Sequence, residues 1–104
     1  MSATSQRAQR RLLMDAVKSF AERARIEGQR QTMDSDEWRF YFGVQRAAQE
    51  VLHAELQAVR NSEIEWLGNE APAYREGYLK ASIVLVTAMA SDEPPARLLL
   101  PDID

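Results

Sequence analysis

Apolar residues recur along the first third of the chain at helical spacing. Leu12, Leu13, Ala16, Val17, Phe20, Ala21 and Ala24 stand three or four positions apart, which gathers them on one helix face at about 100° per residue. Arg11, Asp15, Lys18, Glu22 and Arg25 take the opposite face. Gly28 reads as the stop, because glycine adopts the left-handed turn that ends helices. The pattern predicts a first helix over residues 5–27.

The stretch "DSDEW" opens a second pattern. Asp34 as N-cap, with Glu37 three residues on, forms the acidic variant of a capping box. Trp38, Tyr41, Val44, Ala48, Val51, Leu52, Leu56 and Val59, widened by Ala47, Ala54 and Ala58, cover more than half of a helix circumference over residues 35–60. Such width belongs to a central helix with neighbours on two sides. The arc centres near Val44 and Glu55, leaving Arg39, Arg46, Glu50, His53, Gln57 and Arg60 on a narrow polar strip. Glu55, inside the arc, is the candidate buried charge, to be paired with an arginine such as Arg97 or with the hydroxyl of Tyr74 or Tyr78.

Ser62 and Glu65 make a second capping box and predict a short helix at 62–68 presenting Ile64, Trp66 and Leu67. Pro72 suits the first turn of a third helix over 70–90, where its missing N–H is no loss. Tyr74, Gly77, Tyr78 and Ala81 share one face of its first half. Its second half, "ASIVLVTAMA", is apolar almost all round. The β-branched residues Ile83, Val84, Val86 and Thr87 also suit a strand. No partner strand is visible to take its hydrogen bonds, so the segment reads as helix. A helix apolar on every side must be covered on every side, and two companions leave one side bare. The tail, 91–104, breaks at "SDEPP" and then carries Leu98, Leu99 and Leu100. The reading is that these leucines return to the bare side of helix three or dock on a second chain. The predicted fold is all-α: one domain, 1–104, a three-helix bundle with a short extra helix and an extended C-terminal tail.

Composition narrows the function. The 104 residues are 45% hydrophobic and 28% charged, as in ordinary globular proteins. Cysteine is absent, which removes disulfides, thiolate nucleophiles and thiolate metal sites. No apolar run approaches the roughly 20 residues of a transmembrane helix. The arginine-rich opening runs on into an amphipathic helix containing Asp15 and Glu22, so it is read as helix rather than transit peptide. These features predict a cytoplasmic protein. Charge is segregated: residues 1–30 sum to +4 and the remainder to −7, giving −3. A nucleic-acid arm using Arg7, Arg10 and Arg11 is one explanation. The preferred one is a basic helix neutralised by acidic neighbours, with nucleic acid an unlikely partner.

Candidate chemistry is sparse. Glu50 and His53 have the Glu-x-x-His spacing of di-iron bundles, where a dimer would double the motif and Glu22 or Glu27 would complete it. The wheel points both residues outward, so no metal or cofactor is assigned. Serines 19, 62 and 82 lack a histidine partner other than His53, and the glycines stand singly at 28, 43, 68 and 77, which gives no phosphate loop. No catalytic residue is assigned. In "EWRFYFG" the aromatics cannot all face one core, so at least one must be exposed or meet a partner. The phrase "APAYREGYLKA" resembles helices of small phage-encoded proteins in its aromatic–glycine–aromatic order, which is compatible with a viral or mobile-element origin. The expected function is a non-catalytic protein-interaction module, an adaptor, regulator or inhibitor that forms a homo-oligomer. Its candidate contacts are Trp38, Phe40, Tyr41, Trp66, Tyr74, Tyr78 and Leu98–Leu100. The alternatives are a metal-binding bundle and a nucleic-acid binder.

Overall fold

The computed structural model describes residues 3–53, 70–91 and 97–103. The predicted short helix at 62–68, with Trp66, and the predicted buried charge Glu55 lie outside these residues. Three helices account for most of the described chain: α1 (Ala3–Arg30), α2 (Asp36–Leu52) and α3 (Pro72–Ala90). The fold is a small all-α bundle. α2 is central and packs on both neighbours, most extensively on α3, while α1 and α3 barely touch. Segment 82–88 is helix, as read, despite its β-branched residues. Ala81, Leu85 and Ala88 are buried at helical spacing, and this packing overrides strand propensity.

The helix ends differ from the sequence reading in instructive ways. α1 does not stop at Gly28 but continues to Arg30. Gly28 is buried inside the helix, and a Cβ there would lie 3.3 Å from the Cβ of Tyr41. It serves close packing on α2 rather than termination. The N-cap of α2 is Ser35, not Asp34: its Oγ accepts the Trp38 N–H at 3.2 Å. Asp34 instead takes the left-handed backbone of the α1–α2 turn (φ 67°), a conformation that a short polar side chain tolerates. Arg39 folds back to donate to the Asp34 carbonyl. α2 reaches Leu52 with His53 as its C-cap, and its predicted continuation to residue 60 lies outside the described residues. Pro72 opens α3, as expected from its missing donor.

The core joins all three helices and the tail. Ala16, Val17, Phe20 and Ala24 of α1 meet Phe40, Val44, Ala47, Ala48 and Val51 of α2, with Tyr78, Ala81, Leu85 and Ala88 of α3 and Leu98 beyond. The α2–α3 contact is unusually close. A Cβ on Gly43 would lie 2.1 Å from the Tyr74 carbonyl oxygen, and one on Gly77 would lie 1.9 Å from that of Phe40. The two backbones therefore cross through reciprocal glycines, flanked by Ala47, Ala73 and Ala81.

Helix lengths shape the outline. At 1.5 Å per residue the 28 residues of α1 run about 42 Å, against about 26 Å and 29 Å for α2 and α3. The molecule measures 47 × 31 × 21 Å. Among the described residues the fully buried positions of α1 lie at Ala16 or later, with Gln9, Leu13 and Met14 half-buried before them.

The tail corrects an expectation. Leu98 is buried (4% exposed) and belongs to the core, Leu100 is half-buried, and Leu99 is 76% exposed. This in–out–in order is the alternation of a segment whose successive side chains point to opposite sides. Nor does the tail cover the bare side of α3. Its Leu98 carbonyl accepts from Arg23 of α1, and its Asp102 carbonyl accepts from Lys80 of α3 at 2.8 Å. Burial, then the charges of Glu27 and Asp102, raise the pKa of the Tyr41 hydroxyl. The strap spans the gap between the two outer helices.

Candidate interaction surfaces

Glu50 departs most from the helical wheel. It is not on an outward polar strip but is 2% exposed, facing α3. Both carboxylate oxygens are engaged: the Tyr78 hydroxyl donates to Oε2, and Arg46 Nε donates to Oε1 at 2.9 Å. The wheel misplaced it because Gly43 and Ala47, small and weakly hydrophobic, mark the line where α3 approaches most closely. A side chain at the next turn of that line is covered by backbone proximity rather than by its own apolarity. Removing one partner of a buried carboxylate leaves it under-satisfied. Tyr78→Phe is therefore expected to destabilise the fold by about 1.5–3 kcal/mol, and the double variant Tyr78→Phe with Glu50→Leu, which removes donor and acceptor together, to be nearer neutral. Thermal denaturation of the two variants checks this order; an unchanged midpoint for Tyr78→Phe would mean that the hydroxyl is dispensable to Glu50.

His53 is exposed at the end of α2, and its backbone N–H bonds the Gln49 carbonyl. The Glu-x-x-His pair is thus split between the core and the surface. Glu22 and Glu27, the proposed completing ligands, pair with Arg25 and Arg30. Among the described residues no group of three His, Cys, Asp or Glu side chains could hold a metal ion. The Ser82 hydroxyl donates to the Tyr78 carbonyl at 2.7 Å.

The aromatics of α2 divide as the sequence required. Phe40 is fully buried, Trp38 and Tyr41 are half-buried, and Phe42 is exposed. Trp38 and Phe42 meet edge to face, with ring centroids 4.4 Å apart. With Tyr74, Ala71, Arg39 and Glu70 they line an open notch of about 250 Å³. Burial pushes the Tyr74 hydroxyl above its ordinary range; Arg46 opposes this, and Glu70 and Glu50 add to it.

The other apolar surface is on α3. Leu79 (53% exposed), Ile83 (67% exposed), half-buried Val86 and exposed Ala90 share one outward line. Their 4-3-4 spacing places them within about 60° of one another, opposite Gly77, Ala81 and Ala88. No charged residue occurs between Ala81 and Ala90. This is the bare side anticipated from the sequence, left uncovered by the tail.

The candidate contacts therefore separate. Phe40, Tyr78 and Leu98 belong to the core of the chain itself; Trp38, Tyr41, Tyr74 and Leu100 are half-buried; Leu99 is exposed. Leu79, Ile83 and Phe42 were not singled out from sequence, although the 4-3-4 spacing of the α3 line was legible there. No protein-family model, no curated protein and no solved structure matches this chain.

Proposed function

We propose that this protein is a non-catalytic protein-interaction module that self-associates through the outward line of α3. The observation that carries this reading is the exposure of Leu79, Ile83 and Ala90, with half-buried Val86 between them, on a helix whose residues 81–90 carry no charge. Anchors at i, i+4, i+7 and i+11 are the spacing by which a helix docks in an apolar groove or on another helix.

A second copy suits this line because its spacing is symmetric about its midpoint. In a two-fold antiparallel pair, Leu79 lies opposite Ala90 of the other copy, Ile83 opposite Val86, and the flanking Ser82 opposite Thr87. Large residues meet small ones, polar flanks meet each other, and the facing 81–90 segments bury no charge, as an isologous interface requires. The line is only about 17 Å long. It covers less than the roughly 800 Å² per partner of a standard interface, so association should be weak and concentration-dependent.

Sedimentation velocity over a range of concentrations tests the proposal. The wild type is expected to shift from monomer towards dimer as concentration rises. Ile83→Glu should remain monomeric, with stability changed by no more than about 0.5 kcal/mol, as for an exposed position. A wild type that stays monomeric at every concentration, or an Ile83→Glu variant that associates equally well, would overturn it.

A further inference from the structure

We propose that the N-terminal half of α1 binds the phosphate backbone of double-stranded nucleic acid. Arg7, Arg10, Arg11 and Lys18 are all exposed. At 100° per residue Arg7, Arg11 and Lys18 fall within about 40° of one another, away from the Val17–Phe20–Ala24 face that enters the core, while Arg10 is turned about 60° from Arg7 towards the Val17 side. Asp15 lies beside this line, and Glu22 is taken up by Arg25.

The alternative explanation for a basic first helix is neutralisation by acidic helices beside it. The ion pairs argue otherwise. Every one among the described residues is local: Arg25–Glu22, Arg30–Glu27, Arg39–Asp34, Arg46–Glu50 and Lys80–Glu76. None joins α1 to another helix, and none uses Arg7, Arg10, Arg11 or Lys18. Among the described residues these four cations, on the first turns of α1 and the turn that follows them, make no cross-helix ion pair. The sequence holds no acid before Asp15.

The class of partner follows from what accompanies the charge. A helix lying on a membrane surface needs a continuous apolar face opposite its cations. Here Leu13 is packed against the core and Leu12 stands alone. Single-stranded nucleic acid is held by stacking on aromatic side chains, and the first aromatic of the chain, Phe20, is fully buried. Cations along about 17 Å of helix, with neither lipid-binding nor stacking groups, suit the closely spaced phosphates of a duplex. The surface is separate from the α3 line, and binding through it does not require self-association.

Fluorescence anisotropy with a labelled 20-base-pair duplex DNA of mixed sequence tests the proposal. Three or four phosphate contacts predict a log–log salt slope of about −2.7 to −3.6, a roughly 40–150-fold loss of affinity between 50 and 200 mM salt. The triple variant Arg7→Gln, Arg11→Gln, Lys18→Gln should retain its helical circular dichroism and lose this binding. Arg30→Gln, at the far end of α1, should bind as the wild type does. Absence of binding at 50 mM salt, undiminished binding by the triple variant, or tighter binding to phosphatidylserine vesicles than to the duplex would each overturn it.

Discussion

Gly77→Ala is expected to lower the melting temperature by roughly 10 °C or more. A methyl group at this position would sit 1.9 Å from the Phe40 carbonyl oxygen, and at Gly43 it would sit 2.1 Å from that of Tyr74. Both obstacles are main-chain atoms, so no rotamer change relieves the clash; α2 and α3 must move apart along their whole contact. Overpacking of side chains usually costs about 1–3 kcal/mol, and displaced backbone belongs at or above the upper end. The better helix propensity of alanine returns about 1 kcal/mol. Each remaining kcal/mol shifts the midpoint of a domain this size by roughly 4–8 °C. Gly28→Ala is the internal comparison: its methyl would meet only side-chain atoms, Tyr41 Cβ at 3.3 Å and Gln45 Nε2 at 3.5 Å, so propensity and crowding should nearly cancel. If Gly77→Ala melts with the wild type while keeping its helicity, the two backbones do not cross in contact at these glycines.

Deleting residues 96–104 is expected to have the second large effect, a fall in melting temperature with exposure of dye-binding apolar surface. Leu98 is in the core, Leu100 and Ile103 pack against it, and Leu98 and Asp102 accept hydrogen bonds from α1 and α3. Burying one leucine contributes about 1.5–3 kcal/mol, opposed by the entropy of ordering the tail. Arg23 would lose its carbonyl partner, although its Nε is already buried without one; burial, then the charge of Arg97, lowers its pKa. The three leucines should not be equivalent. Leu98→Ala should lose roughly 2–5 kcal/mol, whereas Leu99→Ala should stay within about 0.5 kcal/mol, as exposed positions do. Equal effects at the two positions, measured by chemical denaturation, would contradict the in–out order of the strap.

Helix identity was legible in the sequence because it is local information. The three-to-four spacing of Leu13, Val17, Phe20 and Ala24, the prolines confined almost wholly to the tail, and Pro72 ahead of an unbroken run each act within a few residues. The class of fold follows from them, as does the central place of α2, whose apolar arc is too wide for one neighbour. The bare side of α3 was also readable, since a helix apolar all round outnumbers the faces that two partners can cover.

What the sequence left open is set by distances between elements. Glu50 stands 120° from the centre of the α2 arc by helical geometry, and only the glycine crossing with α3 brings it under cover. Gly28, read as a stop, became a packing site because Tyr41 lies against it. The path of the tail was undetermined because three adjacent leucines do not say which will face inward; its anchoring to Arg23 of α1 and Lys80 of α3 does. The pairing of the basic residues belongs to the same group. Charge segregation is visible along the chain, but whether it is neutralised depends on which side chains stand within about 4 Å of one another, and that is a property of tertiary structure alone.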